Sequence, residues 1–160
     1  VPYKRVDLAV EAYTKARRHL VVVGTGGCLD RLRRIAGATV SFRERLPDDD
    51  VRDLYRACRH LVFPGEEDFG IVPVEAQACG RPVVAYRKGG ATETVVENET
   101  GVFFDKQTPA ALLEAVDKAA SMPWDTGRIR RNAVRFSKQR FADQLLGIVT
   151  EELERSGRPH

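Results

Sequence analysis

Short apolar runs alternate with helical patterns along most of this chain, and this alternation limits its fold more than any other feature. The runs are HLVVVG, TVSF, HLVFPG, RPVVAY and the shorter GVFF, which begin at residues 19, 39, 60, 81 and 101. Segments such as VVV and PVV are apolar on both faces, as in parallel strands that helices cover on each side. The pattern therefore predicts an α/β fold with a doubly wound parallel sheet, in a single domain over residues 1–160.

Apolar residues between these runs recur at helical spacing. Val6, Ala9, Val10 and Tyr13 lie at i, i+3, i+4 and i+7, which predicts one face of a helix. Further helices are predicted over 28–36, 47–59, 73–79, from residue 108, over 127–136 and over 137–155. Ligands bind such sheets at the carboxyl ends of the strands. The candidate binding loops are therefore 24–27, 43–48, 65–72 and 87–92.

Composition and charge exclude several classes of protein. The net charge of +3 is mildly basic and gives no reason to expect a nucleic-acid partner. No apolar run approaches the length of a membrane span, and the opening VPYKRVD lacks a signal-peptide pattern. That opening is typical of a cut inside a longer protein. Cys28, Cys58 and Cys79 have no metal-binding or disulfide spacing, so we predict reduced thiols and a cytosolic location.

The stretch EEDFGIVPVEAQACG places two carboxylates, Glu67 and Glu75, on either side of a glycine turn that opens a helix. Val72 is predicted as the N-cap and Pro73 as the first helical residue. Val72 has no side-chain oxygen to cap the first-turn amides, and Gly70 allows an anion to approach the backbone closely. Since the helix dipole also favours negative charge there, the turn suits a phosphate.

The two carboxylates suit a different part of the same ligand. A carboxylate only accepts hydrogen bonds, and the neighbouring hydroxyls of a sugar can donate to its two oxygens. A phosphate flanked by Glu67 and Glu75 therefore indicates a nucleotide that carries a sugar. The alternative is that Glu75, at the third helical position, only favours the helix dipole while Glu67 is a solvated loop residue.

These residues resemble a known family. Glu67-Asp-Phe-Gly-Ile-Val-Pro-Val-Glu75 looks like the E-x7-E motif of retaining glycosyltransferases of family four, which have the GT-B architecture of two Rossmann-like domains facing a cleft. The chain is similar to the C-terminal, donor-binding domain of those enzymes along nearly its full length. The segments that carry the resemblance are PYKRVDLAVEAY, GTGG, DDDVRDLY, CGRPVVAYRKGGATETV and ENETGVFF. The residues of the stretch EEDFGIVPVEAQACG look closest to those of bacterial and archaeal mannosyltransferases that build O-antigen-like polysaccharides.

The resemblance implies roles for particular residues. Lys4 matches the lysine that neutralises the donor diphosphate, and Glu67 the glutamate beside the donor sugar; these two are the catalytic candidates. The implied donor-binding residues, besides Lys4, are Gly24, Gly26, Leu46, Asp48, Phe69, Gly70, Ile71, Val72 and Glu75. Among them Glu75 matches the ribose-binding residue. Asp48 is either an acceptor for a guanine base or the N-cap of the helix that follows it.

The chain also departs from the family pattern. Glu44 stands where the family often has a glycine, which puts the fine shape of the base pocket in doubt. The diphosphate-binding arginine and the acceptor domain of the family are missing from the chain. The D-x-D within Asp48–Asp50 opens a helix, where the dipole favours acidic residues. Neither this segment nor His19, His60 and His160 has metal-ligand spacing, so neither a metal nor any other cofactor is expected.

The function implied by the resemblance is transfer of mannose from GDP-mannose to a glycan or lipid-linked acceptor that the missing domain presents. The fragment alone is expected to be inactive. Two alternatives remain: a GT-B nucleotide-sugar epimerase or hydrolase, and a non-catalytic nucleotide-sugar-binding module. A basic stretch over 128–140 is either a solvated face or a docking surface for the missing domain or an anionic membrane. The expected location is the cytoplasm, with peripheral contact at the inner face of the membrane as the second option.

Overall fold

A computed structural model describes residues 1–157 of the chain. After a 3-10 turn over Pro2–Lys4, these residues form eight α-helices and five β-strands. The strands are β1 (Leu20–Val23), β2 (Val40–Arg43), β3 (Leu61–Phe63), β4 (Val83–Tyr86) and β5 (Gly101–Phe104). The helices are α1 (Val6–Lys15), α2 (Leu29–Ile35), α3 (Asp48–Ala57), α4 (Ile71–Ala78), α5 (Ala91–Thr94), α6 (Pro109–Ser121), α7 (Thr126–Val134) and α8 (Lys138–Arg155).

Every predicted strand is present, and all strand pairs are parallel, which confirms the predicted α/β fold. The strands form two hydrogen-bonded ladders, β1–β2 and β3–β4–β5, where one continuous sheet was predicted. Leu20 of β1 is in register with Val40 of β2, and Leu61 of β3 with Val83 of β4. Strands β1 and β3 line a common cleft of about 720 Å³ between the two ladders.

The core lies on both faces of the β3–β4–β5 ladder. Val84 packs with α1 and α6 in the larger apolar cluster, whereas its neighbours Val83 and Ala85 belong to a smaller cluster with Phe63. Successive strand residues point to opposite faces, so this alternation means that both faces of β4 are covered. Each large side chain that is fully buried, such as Leu112, adds about 1.5–3 kcal/mol relative to an exposed one.

A buried polar network fixes helix α4 against its neighbours. The Gln77 side chain of α4 donates from Nε2 to the carbonyls of Pro73 and Thr94, at 3.1 and 2.9 Å. Asn132 of α7 donates from Nδ2 to Gln77 Oε1 at 2.7 Å and to the Thr94 carbonyl at 2.8 Å. Since buried polar groups are tolerated only when they are paired, this set specifies one position for α4 and for the turn before it.

Helix α8 is the longest of the described helices, and like α3 it has no buried residue. Its large apolar side chains are all exposed: Phe141, Leu145, Leu146, Ile148, Val149 and Leu153. The stretch 128–140, predicted as one basic surface, is in part paired with acids, since Arg128 lies 3.5 Å from Glu99 and Arg131 3.8 Å from Asp125. Within residues 1–157, no helix is both long enough and apolar enough to cross a membrane.

Candidate functional site

The turn between β3 and α4 is where most of the predicted site residues meet. Helix α4 begins at Ile71, and its N-cap is Gly70, whose backbone has a φ of 72°. This left-handed conformation is the reason for a glycine at this position. Among the residues that the structure describes, no side chain caps the first turn of α4. The first amides of this helix are therefore available to an anion.

This start corrects two details of the sequence prediction. Val72 is the second helical residue and not the N-cap, and Pro73 is the third residue and not the first. Proline is tolerated there because a first-turn N–H has no partner inside the helix in any case. Glu75 is consequently the fifth helical residue. The helix dipole acts most strongly within the first turn, and Glu75 lies beyond that turn. This position weakens the alternative in which Glu75 only favours the helix dipole.

Lys4 and Glu67 form an ion pair beside this turn. Lys4 Nζ lies 3.1 Å from Glu67 Oε1, with the lysine side chain 40% exposed and the glutamate 18% exposed. Gly65, which follows β3, makes the approach possible. A Cβ on Gly65 would lie 2.6 Å from the Lys4 Cα and from the Tyr3 carbonyl oxygen. The two catalytic candidates, 63 positions apart in the sequence, are thus adjacent in the fold.

A glutamine holds the Lys4 segment in this position. Arg5 donates from Nη1 to Gln107 Oε1 at 2.9 Å, and Gln107 in turn donates from Nε2 to the Pro64 carbonyl at 2.9 Å. Arg5 itself is in the left-handed region, with a φ of 48°. The bridge joins the residue after Lys4 to the residue before Gly65. It therefore restrains the separation between Lys4 and the turn.

A second pair of glycines supports the turn from the other side. A Cβ on Gly89 would clash with the Glu67 carbonyl, and a Cβ on Gly90 with the backbone of Asp68 and Phe69, all well under 3.0 Å. The Gly90 amide donates to the Glu67 carbonyl at 2.8 Å. The predicted loop 87–92 thus contributes backbone contacts to the site.

Glu75 is exposed on α4, and Tyr55 of α3 donates a hydrogen bond from Oη to Glu75 Oε2 at 3.1 Å. Burial raises the pKa of Tyr55 above its usual range, and the charge of Glu75 raises it further. The sequence placed Tyr55 only within the predicted helix over 47–59. Its contact with Glu75 was missed, because nothing in a sequence spacing of 20 residues signals a bond between two helices.

Two cavities adjoin these residues. One, of about 550 Å³, is lined by Tyr3, Glu66, Glu67, Asp68, Phe69 and Gly70. The other is the cleft between the two ladders, whose lining includes Lys4, Tyr55, Glu67, Val72 and Glu75. Glu67 lies between the two cavities. The structure therefore brings Lys4, Glu67 and Glu75 together, with the turn residues Phe69, Gly70, Ile71 and Val72 beside them.

The remaining predicted residues lie on the other ladder. Gly24 and Gly26 form an open turn after β1, with φ values of 131° and 149°. Leu46 and Asp48 lie between β2 and α3, Leu46 half-buried and Asp48 exposed. These four line neither cavity. Their donor-binding roles stay predictions.

The Asp48–Asp50 segment opens helix α3, and His60 is hydrogen-bonded to another side chain. Pro47 is the N-cap of α3 and Asp48 its first residue, so the N-cap alternative for Asp48 is wrong. His60 forms a 2.8 Å hydrogen bond with the Tyr13 hydroxyl, and His160 lies outside the described residues. Over the described range 1–157, no three His, Cys, Asp or Glu side chains are grouped so as to hold a metal ion.

Comparison with known proteins places the chain in a family. The family model described as Glycosyl transferases group 1 matches residues 1–139. The chain is 30% identical over 175 residues to the D-inositol 3-phosphate glycosyltransferase of Acidothermus cellulolyticus, covering 95% of this chain and 39% of that protein. It is 34% identical over 151 residues to the alpha-1,3/1,6-mannosyltransferase of Neurospora crassa, covering 92% of this chain and 31% of that protein.

Solved structures of glycosyltransferases also match the fold of this chain. The solved structure of Anabaena HepE in complex with UDP-glucose matches with a TM-score of 0.73 and 25% identity, covering 97% of this chain and 46% of that one. The predicted Rossmann-like fold of GT-B glycosyltransferases is confirmed. The chain spans less than half the length of each of these three relatives. On these matches, the chain belongs to the Glycosyl transferases group 1 family.

Proposed function

We propose that the chain is the donor-binding half of a retaining glycosyltransferase, which transfers a sugar from a nucleotide-sugar to an acceptor. One observation carries this proposal. Lys4, Glu67 and Glu75 line a single cleft next to the uncapped amino end of α4. A lysine and free amides recognise a diphosphate, and two carboxylates recognise sugar hydroxyls.

In this proposal the diphosphate binds between Lys4 and the first turn of α4. Lys4 already carries a carboxylate partner in Glu67, but the lysine is 40% exposed, and exposed pairs contribute little. A diphosphate can therefore take over the ammonium group at small cost. As the sugar leaves, negative charge grows on the diphosphate. Lys4 and the helix amides are positioned to stabilise that charge in the transition state.

The two glutamates act on the sugars at either end of the diphosphate. Glu75 accepts hydrogen bonds from the ribose hydroxyls, and Glu67 accepts from the transferred sugar once Lys4 has turned to the phosphate. Retention of stereochemistry is proposed from the E-x7-E resemblance. The anomeric configuration of the product, measured by NMR on a full-length enzyme that contains this chain, tests it.

For the donor we propose GDP-mannose. Two similarities support this choice: that of the chain to the Neurospora crassa mannosyltransferase, and that of the Glu67–Glu75 motif to mannosyltransferases. Asp48 would accept hydrogen bonds from the guanine edge. The relative solved with UDP-glucose makes uridine the competing base. Titration of the chain with GDP, UDP and ADP separates these donors, and tighter binding of UDP than of GDP would overturn the choice of base.

No metal or other cofactor is needed in this proposal, because Lys4 and the helix amides supply the positive charge. Donor binding should be unchanged by a chelator. Loss of binding with chelator and its recovery with manganese would contradict this. We further propose a cytoplasmic location, supported by three half-buried thiols that stand in no disulfide within the described residues.

The acceptor, a glycan or a lipid-linked sugar, is proposed to bind outside this chain. The support is that relatives of the family are more than twice as long as the segment they share with it. The chain alone should bind donor nucleotides and transfer nothing. Sugar transfer by the isolated chain would overturn this division of roles.

Calorimetric titration with GDP and pyrophosphate tests the proposed function. Lys4→Ala should weaken both ligands about 10- to 100-fold, as loss of a charged hydrogen bond implies. Lys15→Ala, at the exposed end of α1, removes the same charge away from the cleft and should leave both affinities unchanged. Equal weakening by the two variants would mean that only overall charge matters, and the proposed site would be wrong.

A further inference from the structure

Several polar side chains of the cleft between the ladders have no role in the proposed function, and Tyr55 is one of them. Tyr55 lies on α3 and lines the same cleft as Lys4, Glu67 and Glu75. Its hydroxyl donates to Glu75 Oε2 at 3.1 Å. The two residues belong to different helices, so the bond joins α3 to α4 at the site itself.

This bond restricts a side chain that would otherwise rotate freely. Glu75 is exposed, and an exposed glutamate loses considerable rotamer entropy when a ligand fixes it. Tyr55 has only two χ angles, and its ring is half-buried, so its hydroxyl is a fixed donor. Burial and the Glu75 charge both raise the pKa of Tyr55, so the hydroxyl stays protonated across the physiological range.

The geometry leaves the remainder of the carboxylate available. Tyr55 occupies one lone-pair direction of Oε2, while Oε1 and the other acceptor sites of Glu75 can still accept hydrogen bonds. A diol needs two acceptor positions in a defined orientation. A carboxylate that is already oriented binds such a group with less loss of entropy.

We propose that Tyr55 is a positioning residue that holds the Glu75 carboxylate in the orientation in which it accepts the hydroxyls of a nucleotide ribose. This inference rests on the proposed function, in which Glu75 binds ribose. In the proposed site the diphosphate lies between Lys4 and the first turn of α4, and the bond of Tyr55 is to Glu75. Removal of this bond should therefore act on the ribose alone.

Three ligands separate positioning from a general structural effect: GDP, 2′,3′-dideoxy-GDP, which lacks the ribose hydroxyls, and pyrophosphate. Tyr55→Phe keeps the ring and removes the hydroxyl. It should weaken GDP about 3- to 10-fold, the usual range for one neutral hydrogen bond. The affinities for dideoxy-GDP and pyrophosphate should stay unchanged. The control is Tyr86→Phe, a tyrosine whose ring packs on Phe104 at the end of β4, and it should change none of the three.

A double-mutant cycle adds a second test. Glu75→Gln should itself weaken GDP, and in that background Tyr55→Phe should have no further effect on GDP. Unchanged GDP affinity in Tyr55→Phe, or equal losses for all three ligands, would overturn the positioning role alone. If the unmodified chain binds GDP and dideoxy-GDP equally, the ribose assignment of Glu75 fails and this inference fails with it. If the chain does not bind GDP or pyrophosphate, the proposed function itself is overturned.

Discussion

Two glycine-containing turns of this molecule differ in how closely other residues pack against them. Both the turn after β1 and the turn after β3 follow a parallel strand, contain glycine and lead into a helix. A Cβ at Gly24, Gly26 or Gly27 would meet no atom of residues 1–157 within 4 Å. At Gly65, a Cβ would lie within 2.6 Å of the Lys4 backbone.

The difference separates two uses of glycine. In the turn after β1, glycine provides a backbone conformation and nothing packs against it. Around the turn after β3, glycine allows three segments of backbone to touch: the Lys4 segment, the turn itself and the Gly89–Gly90 loop. Only the second arrangement fixes the positions of a lysine and a carboxylate relative to each other, as a binding site requires.

The largest loss of stability is expected from a methyl group added at Gly90, where the Gly89–Gly90 loop contacts the turn after β3. Gly90 has a φ of −60°, which any residue can adopt, so Gly90→Ala introduces a clash without backbone strain. We expect the free energy of unfolding to fall by about 3 kcal/mol or more, since the clash is with backbone. Gly27→Ala, in the open turn, should change it by under about 0.5 kcal/mol. Denaturant titration of both variants measures the change. Similar losses of unfolding free energy in the two variants would show that the two turns do not differ in packing.

The next largest loss of stability is expected when the Gln107 bridge between Arg5 and Pro64 is removed. Gln107→Ala removes the hydrogen bonds to Arg5 and Pro64 and should lower the free energy of unfolding by about 1–2 kcal/mol. It should also weaken pyrophosphate, because Lys4 is no longer restrained. Gln139→Ala on exposed α8, which loses only a bond to Asp143, is the matched control. A stable Gln107→Ala variant with unchanged pyrophosphate affinity would show that the bridge does not position Lys4.

A pH titration tests whether β3 is also fixed at its other end, where His60 contacts Tyr13. Burial lowers the pKa of His60, with Arg59 and Arg18 acting in the same direction. The unfolded chain therefore binds the proton more readily than the folded one. The stability that neutral His60 contributes is present above about pH 6.5 and is lost as the pH falls towards the folded pKa. Thermal unfolding between pH 7.5 and 5.5 measures it.

The His60 prediction has its own control. His60→Gln should flatten the pH dependence of stability, whereas His19→Gln, at an exposed position before β1, should leave it unchanged. If both variants keep the full dependence on pH, the acid-sensitive group lies elsewhere, and the start of β3 is not held in the way described.

The smallest effect on stability is expected at the ion pair. Glu67→Gln should change the free energy of unfolding by under about 1 kcal/mol, because its partner Lys4 is well exposed to solvent. The same variant should weaken a nucleotide-sugar more than it weakens pyrophosphate. Calorimetry and denaturant titration together test this. A large loss of stability would indicate that Glu67 supports the turn, with no part in binding sugar.

Sequence patterns predicted the order of strands and helices well, because periodicity records which faces are buried. They placed the start of α4 two residues late, since proline is common at the first helical position and Pro73 here is the third. The short α5 and the 3-10 turn over Pro2–Lys4 were not predicted. Each has too few residues to show a period.

Within the site, the motif from Glu67 to Glu75 could be identified from sequence, whereas its supports could not. The contacts of Gly65 and Gly90 are between backbones far apart in the chain, and a glycine has no side chain to indicate its neighbour. Tyr55 lies within the predicted helix over 47–59, but its hydroxyl bond to Glu75 depends on how α3 packs against α4. Such contacts follow from tertiary structure alone.

The division of the strands into two ladders has a consequence for the slow motions of the chain. In β4, three of four residues are fully buried, whereas Val21 and Val23 of β1 are 46% and 43% exposed. Amide protons exchange with solvent through local and subglobal openings, whose free energies are lowest where few apolar groups are buried. The β1–α2–β2 unit should therefore open and exchange its amide protons while β3–β4–β5 stays closed. The donor turn, attached to β3, would keep its shape through such openings.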